Sequence, residues 1–284
     1  MKFCFILLGV FSLSSWAERY ERGNKACTNK SEEYYRQDSE NIRYQYLYGA
    51  CLVIKGQDAK GLVILYHLAD HKSLVTANYF VADYLGTDGK FADPLTRFKI
   101  DEAIYYQERT LALINSLPTY PEPDYWAYER QNQMELQSVY DVPYFYMIKY
   151  KLGAIGDYRK HLFQSPSYQG DRNKELYPNY NPYTLDSLDN VARYAEECAS
   201  QPQKRHFAPL RYKATVETCR LMKELALTLI PLEEKRQEIL LQPKCADLNK
   251  TNCPEYYETH QEIADFINDY NEEAERIFKP VINS

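Results

Sequence analysis

LYGACLVIKGQDAKGLVILYHLADHKSLVTANYFVADYLGTDGKF (residues 47–91), followed after an insertion by IDEAIYYQERTLALI (residues 100–114), decides how this chain folds. Apolar residues recur at threes and fours up to Ile54, Gly56 interrupts them, and a second helical pattern starts near Asp58 and runs to Lys72. The scheme then begins again. Residues 76–91 restate the first helix with its glycine-containing turn, and residues 100–114 restate the second. A helix pair that cannot bury its own apolar face must stack on a neighbour. The pattern therefore predicts an all-α fold of antiparallel helix-pair repeats, an α-solenoid that offers a surface and no pocket around a catalytic centre.

On the N-terminal side of this stretch, Lys2, the apolar run Phe3 to Leu13 and the small residues of Ser15-Trp16-Ala17 spell a cleavable export signal over residues 1–17. No later run reaches the roughly 18–20 apolar residues of a membrane span, so no transmembrane segment is expected. Residues 18–30 are polar. Residues 31–55 have helical spacing with a break near Asp38-Ser39, where Ser39 is placed to cap a new start at Asn41. The full chain has 284 residues, enough for one large domain or two modest ones, and a formal charge of −6 that loss of Lys2 takes to −7. Mixed charges with this mild acidic excess argue against nucleic acid as a partner. Tyrosine is the compositional outlier at 28 residues; its ring suits a core and its hydroxyl suits a wet surface.

On the C-terminal side the text changes. Pro118, Pro121 and Pro123 exclude helix, which divides the chain into a repeat region, 18–116, and a second helical region, 117–284, with Tyr/Pro-rich loops. There a helix is expected from Asp124 through Tyr140, another from Pro143 to about Gly153, and an aperiodic stretch over residues 164–183. Helices resume at Thr184 to Ala199 and from Pro209, where Pro231 is expected to kink or divide the second one. Pro254 opens a last helix whose Tyr256, His260, Ile263, Ile267, Tyr270, Ala274 and Ile277 form a heptad-like seam, the mark of a C-terminal helical cap.

Beyond Cys4 of the leader stand six cysteines: Cys27, Cys51, Cys198, Cys219, Cys245 and Cys253. In an exported chain an even number points to disulfides, with 15 possible pairings. Cys198 and Cys219 lie almost symmetrically about the turn at 201–209, and Cys245 and Cys253 bracket a short polar loop; Cys27 and Cys51 remain by elimination. One straight helix through that last pair would hold them far apart, at about 1.5 Å per residue.

Chemistry is sparse. His67-Leu-Ala-Asp70-His71 sets two imidazoles one helical turn apart, a spacing zinc uses, yet HExxH and a third ligand are missing, so the pair reads as helix-end histidines and no metal is expected. Glu129 and Glu135 are six residues apart, about 240° around a helix, and so face different ways. Ser165 lacks any nucleophile motif, and no GxSxG, GxGxxG, P-loop or CxxC occurs. No catalytic residue and no cofactor is expected. Aromatic anchors in adaptable loops remain, and Tyr120, Tyr125, Trp126, Tyr168, Tyr177, Tyr180 and Tyr183 are the candidate binding residues.

Residues 47–77 resemble a Sel1-like repeat, a relative of the tetratricopeptide repeats. Ala50, Gly56, Asp58, Lys60, Tyr66 and Ala69 sit where that pattern has its small residues, turn glycine, acid, lysine and aromatic, while Gly61 stands near its usual alanine. The resemblance implies adaptor or scaffold work on another protein or on an envelope component, in a periplasmic or secreted setting. A secreted hydrolase of cell-wall material, or a binder of wall peptides without turnover, is the alternative.

Overall fold

The computed structural model describes residues 27, 29–86, 99–116, 134–151, 184–204, 207–245 and 251–282. Among these every regular element is helical: α1 (Asn29–Gln37), α2 (Ile42–Ile54), α3 (Asp58–Lys72), α4 (Val75–Gly86), α5 (Ile100–Ser116), α6 (134–151), α7 (Thr184–Ala199), α8 (Pro209–Leu240) and α9 (Pro254–Ile282), with one 3-10 turn at Pro243–Cys245. The chain forms two units, residues 1–138 and 139–284.

In the first unit consecutive helices pack in order, α1 on α2, α2 on α3, α3 on α4 and α4 on α5. The break between α1 and α2 is capped by Asn41, not by Ser39: the Asn41 carboxamide oxygen accepts from the N–H groups of Arg43 and Tyr44 at 3.1 and 3.4 Å. An amide oxygen immediately before the first turn reaches these orphan donors, whereas Ser39 lies too far back. The chain reversal lays α1 along α2, where Tyr34 stacks on Tyr44 and Tyr35 on Tyr48. It also carries Cys27 to Cys51, with Cα atoms 5.2 Å apart.

Five consecutive buried residues, Gly49 to Val53, exceed one helical turn, so this part of α2 is enclosed on all sides and not along a stripe. Its end is a Schellman motif. Gly56 takes φ +76°, the Gln57 N–H donates to the Leu52 carbonyl at 2.8 Å and the Gly56 N–H to Val53 at 2.9 Å. The reversal brings α3 so close that a Cβ on Gly61 would meet the Gly49 carbonyl oxygen at 2.5 Å. Gly61 is the contact that lets the two backbones touch.

Helix α3 ends at Ser73, in the left-handed region at φ 49°, and the next helix starts at Val75. The buried Asn78 amide donates to the Leu74 carbonyl at 2.9 Å and to Ala69 at 3.4 Å, which ties the end of α3 to the first turn of α4. Helix α4, sandwiched between α3 and α5, buries eight of its twelve residues. Helix α5 buries Ile100, Ala103, Ile104, Gln107, Thr110 and Ile114 at helical spacing.

In the second unit α8 is central, packed by α7 and α9. Helix α6 reaches all three: Tyr146 stacks on Tyr194, Tyr150 bonds Glu233, and Tyr140 meets Phe278 edge-on. The expected break before Pro143 does not occur, since α6 runs unbroken from 134 to 151. Nor does Pro231 divide α8, whose 32 residues include it. A proline costs one hydrogen bond and a clash; tertiary contacts on both sides of Pro231 offset this. Cys219 bonds Cys198 of α7 on one side, and Glu233 and Arg236 meet Tyr150 and Tyr256 on the other. The third disulfide, Cys245 to Cys253, lies in a small cluster with Ile239 and Tyr256 at the start of α9. Six of the residues of α9 are buried along one side: Tyr256, Thr259, Ile263, Ile267, Tyr270 and Ala274.

Candidate functional site

Two groups of polar side chains stand out, one in each unit. In the first unit, α3 and α5 are joined side by side by hydroxyl–carboxylate bonds. The Tyr66 hydroxyl donates to Glu102 at 2.8 Å, and the Tyr106 hydroxyl donates to both Asp70 oxygens at 3.1 Å. Arg109 adds a 2.9 Å ion pair to Asp70 and donates to its backbone carbonyl at 3.3 Å. Tyr84 of α4 reaches Asp58 at the start of α3 at 2.5 Å. Burial and then the Glu102 carboxylate push the Tyr66 phenol well above its ordinary range, and burial with Asp70 does the same for Tyr106. Both phenols thus stay protonated, as hydrogen-bond donors and not nucleophiles.

The bonds between α3 and α5 join residues 36 or 39 apart, Tyr84 and Asp58 are 26 apart, and the edge-on contact of Tyr46 on α2 with Phe80 on α4 joins residues 34 apart. The same two helices also carry exposed apolar side chains, Tyr105 of α5 at 54% and Val63 of α3 at 71%.

In the second unit Glu233 and Arg236, three residues apart on α8, form a fully buried fork. Arg236 Nε donates to Oε2 at 2.7 Å and Nη2 to Oε1 at 2.6 Å. Tyr150 donates to Oε2 at 3.3 Å, Gln237 to Oε1 at 3.1 Å, and Arg236 Nη1 reaches the Tyr256 hydroxyl at 3.4 Å. Both ionic side chains have 0% exposure, so the pair is sealed from any substrate. Its place is structural: a bidentate, fully hydrogen-bonded pair holds its charges where a lone one could not stay. Beside it His260 stacks on Tyr256, and burial, then Arg236, lowers its pKa against an opposing pull from Glu233.

The solvent side of α9 borders an open groove of about 780 Å³ lined by Tyr257, Glu258, Glu262, Asp265, Phe266 and Asp269, an acidic surface with two aromatic rings. Cations are favoured there.

The candidate binding residues Tyr120, Tyr125, Trp126, Tyr168, Tyr177, Tyr180 and Tyr183 lie outside the described residues, as do Glu129, Ser165 and the leader. Glu135 is buried, 3% exposed, on α6. His67 and His71 are both exposed with ring centroids 5.1 Å apart, and the intervening Asp70 turns to α5. Among the described residues no three His, Cys, Asp or Glu side chains gather where a metal would sit, and no helix is long and apolar enough to cross a membrane. Sequence reading missed the Glu233–Arg236 pair. Its signal was there: Met222, Leu225, Leu229, Glu233, Arg236 and Ile239 continue one three-to-four spacing across Pro231.

Compared with protein-family models, with curated proteins and with solved structures, the chain matches none of them.

Proposed function

We infer that the chain is an exported, non-catalytic interaction module built on Sel1-like or tetratricopeptide-like helix pairs, which binds another protein or an envelope component. The observation that carries this reading is the separation of the cross-hairpin contacts. Tyr46 to Phe80, Tyr66 to Glu102 and Asp70 to Arg109 join residues 34 to 39 apart. Helical repeats have periods of about 34–47 residues, and their side-by-side stacking brings equivalent positions of successive units together. Such arrays bind through extended faces.

Three disulfides support an oxidising compartment, in keeping with export to a periplasm or beyond. In this reading Tyr120, Tyr125, Trp126, Tyr168, Tyr177, Tyr180 and Tyr183, in the Tyr/Pro-rich stretches of the sequence, are the candidate anchors. The test is recovery of partners from an envelope extract on immobilised full chain, beside a variant with Tyr168, Tyr177 and Tyr180 changed to alanine. Loss of a specific partner in the variant supports the reading, and unchanged recovery removes the loops from it. Turnover of wall fragments that Glu129→Gln abolishes would replace the module with a hydrolase.

A further inference from the structure

His67 and His71 occupy the last two turns of α3, four residues apart, and both side chains are exposed. Among the described residues neither imidazole takes part in a hydrogen bond or ion pair, and the ring contact each makes is with the other. Their centroids are 5.1 Å apart with the planes inclined at 44°. That separation is informative. A zinc ion sits about 2.0–2.1 Å from an imidazole nitrogen. The ring centre lies a further ~1.1 Å back, so two rings sharing one ion at tetrahedral angles have centroids about 5 Å apart. The centroid separation of the pair matches the spacing a shared ion requires.

The turn that carries the pair is held in place. Asp70, between the two histidines, is fixed by Tyr106 and Arg109 of α5, and Arg109 also reaches the Asp70 carbonyl and, at 3.5 Å, the Ser73 hydroxyl. The C-terminal end of the helix therefore does not have to be ordered by the ion. Its carbonyl dipoles favour a cation at that end. Lys72 opposes this, while the charge of Arg109 is matched by Asp70.

We propose that His67 and His71 form a two-imidazole surface site for a borderline divalent ion such as Zn²⁺, with the remaining coordination positions left to water or to a donor from another molecule. Imidazole selects such ions, with affinity rising from Mn²⁺ to Cu²⁺ in the Irving–Williams order, and hard Mg²⁺ is passed over. The ion forms no covalent product and needs no redox partner. This site stands independently of the partner-binding reading.

Isothermal titration of the untagged, disulfide-bonded full chain with Zn²⁺ tests it, with Mg²⁺ as the control ion. The expected result is one Zn²⁺ per chain and no heat from Mg²⁺. Since loss of even an outer-shell partner costs about 10- to 100-fold in affinity, His67→Asn and His71→Asn each weaken binding at least about tenfold. A double variant, His71→Asn with Lys72→His, keeps the number of imidazoles but breaks the one-turn spacing, and is expected to bind as weakly as the single variants. All these positions are exposed, so unchanged circular dichroism is expected throughout. Zn²⁺ binding that His67→Asn leaves untouched, a spacing variant that binds like the unaltered chain, or no binding below millimolar Zn²⁺ would each overturn the proposal.

Discussion

Changing Gly61 to alanine tests the closeness of the first hairpin. Glycine in a helix interior costs about 1 kcal/mol relative to alanine, so on propensity alone the substitution stabilises α3. Packing opposes it. A Cβ at this position meets the Gly49 carbonyl oxygen at 2.5 Å, Val53 Cγ2 at 2.7 Å and the Val53 backbone nitrogen at 2.9 Å. Two of the three are backbone atoms of α2, which cannot turn aside as a side chain would. Overpacking of a core costs about 1–3 kcal/mol, and backbone contacts place this case in the upper part of that range. The net expectation is a loss of about 1–2 kcal/mol. Urea denaturation of the oxidised full chain reads the effect by far-ultraviolet circular dichroism. Because two units need not unfold together, hydrogen exchange of the α2 and α3 amides gives the local value. Val63→Ala, at a position 71% exposed, is the control and should be near neutral. A Gly61→Ala chain more stable by the full propensity gain, with α2 amides equally protected, would refute the close approach.

Asn41→Ala removes the side-chain cap at the N-terminus of α2 and should cost about 1 kcal/mol, read as faster exchange of the Arg43 and Tyr44 amides. Arg236→Met leaves the Glu233 charge buried and unpaired and should destabilise the second unit by about 3–5 kcal/mol, whereas Arg236→Met with Glu233→Met should recover most of that loss in chemical denaturation. Replacing Cys198 and Cys219 by alanine opens a bridge between residues 21 apart and should cost about 3 kcal/mol in the same assay. The lowered pKa of His260 means that the folded state prefers its neutral imidazole, so the contribution to stability is full above the unfolded value of about 6.5 and is lost as pH falls through and below it. A stability-against-pH curve should show that decline, and His260→Gln should flatten it.

Helix type and order were legible because local spacing carries them. The α2–α3 hairpin announces itself through Gly56 and Asp58, and α9 through Pro254 and its seam. Burial was less legible where several helices converge. Apolar residues at threes and fours up to Ile54 imply one buried side, but the core of α2 is the continuous run 49–53. Proline misled at positions 143 and 231, since the cost of a missing hydrogen bond is local while the packing that offsets it comes from residues far along the chain. The buried ion pair was concealed for the same reason: charged residues on an apolar stripe read as its end until Tyr150 and Tyr256 arrive from elsewhere. Side-by-side bonds such as Tyr66 to Glu102 need knowledge of which hairpins are neighbours, which local periodicity does not contain.

The stacking of one helix pair on the next is the claim on which the functional reading depends, and ring-to-ring nuclear Overhauser contacts measure it most directly. In a sample with labelled aromatic residues, cross-peaks are expected between Tyr66 and Tyr106, whose ring centroids are 5.7 Å apart, and between Tyr46 and Phe80 at 6.4 Å. Assigned rings on all four residues with neither cross-peak present would contradict it.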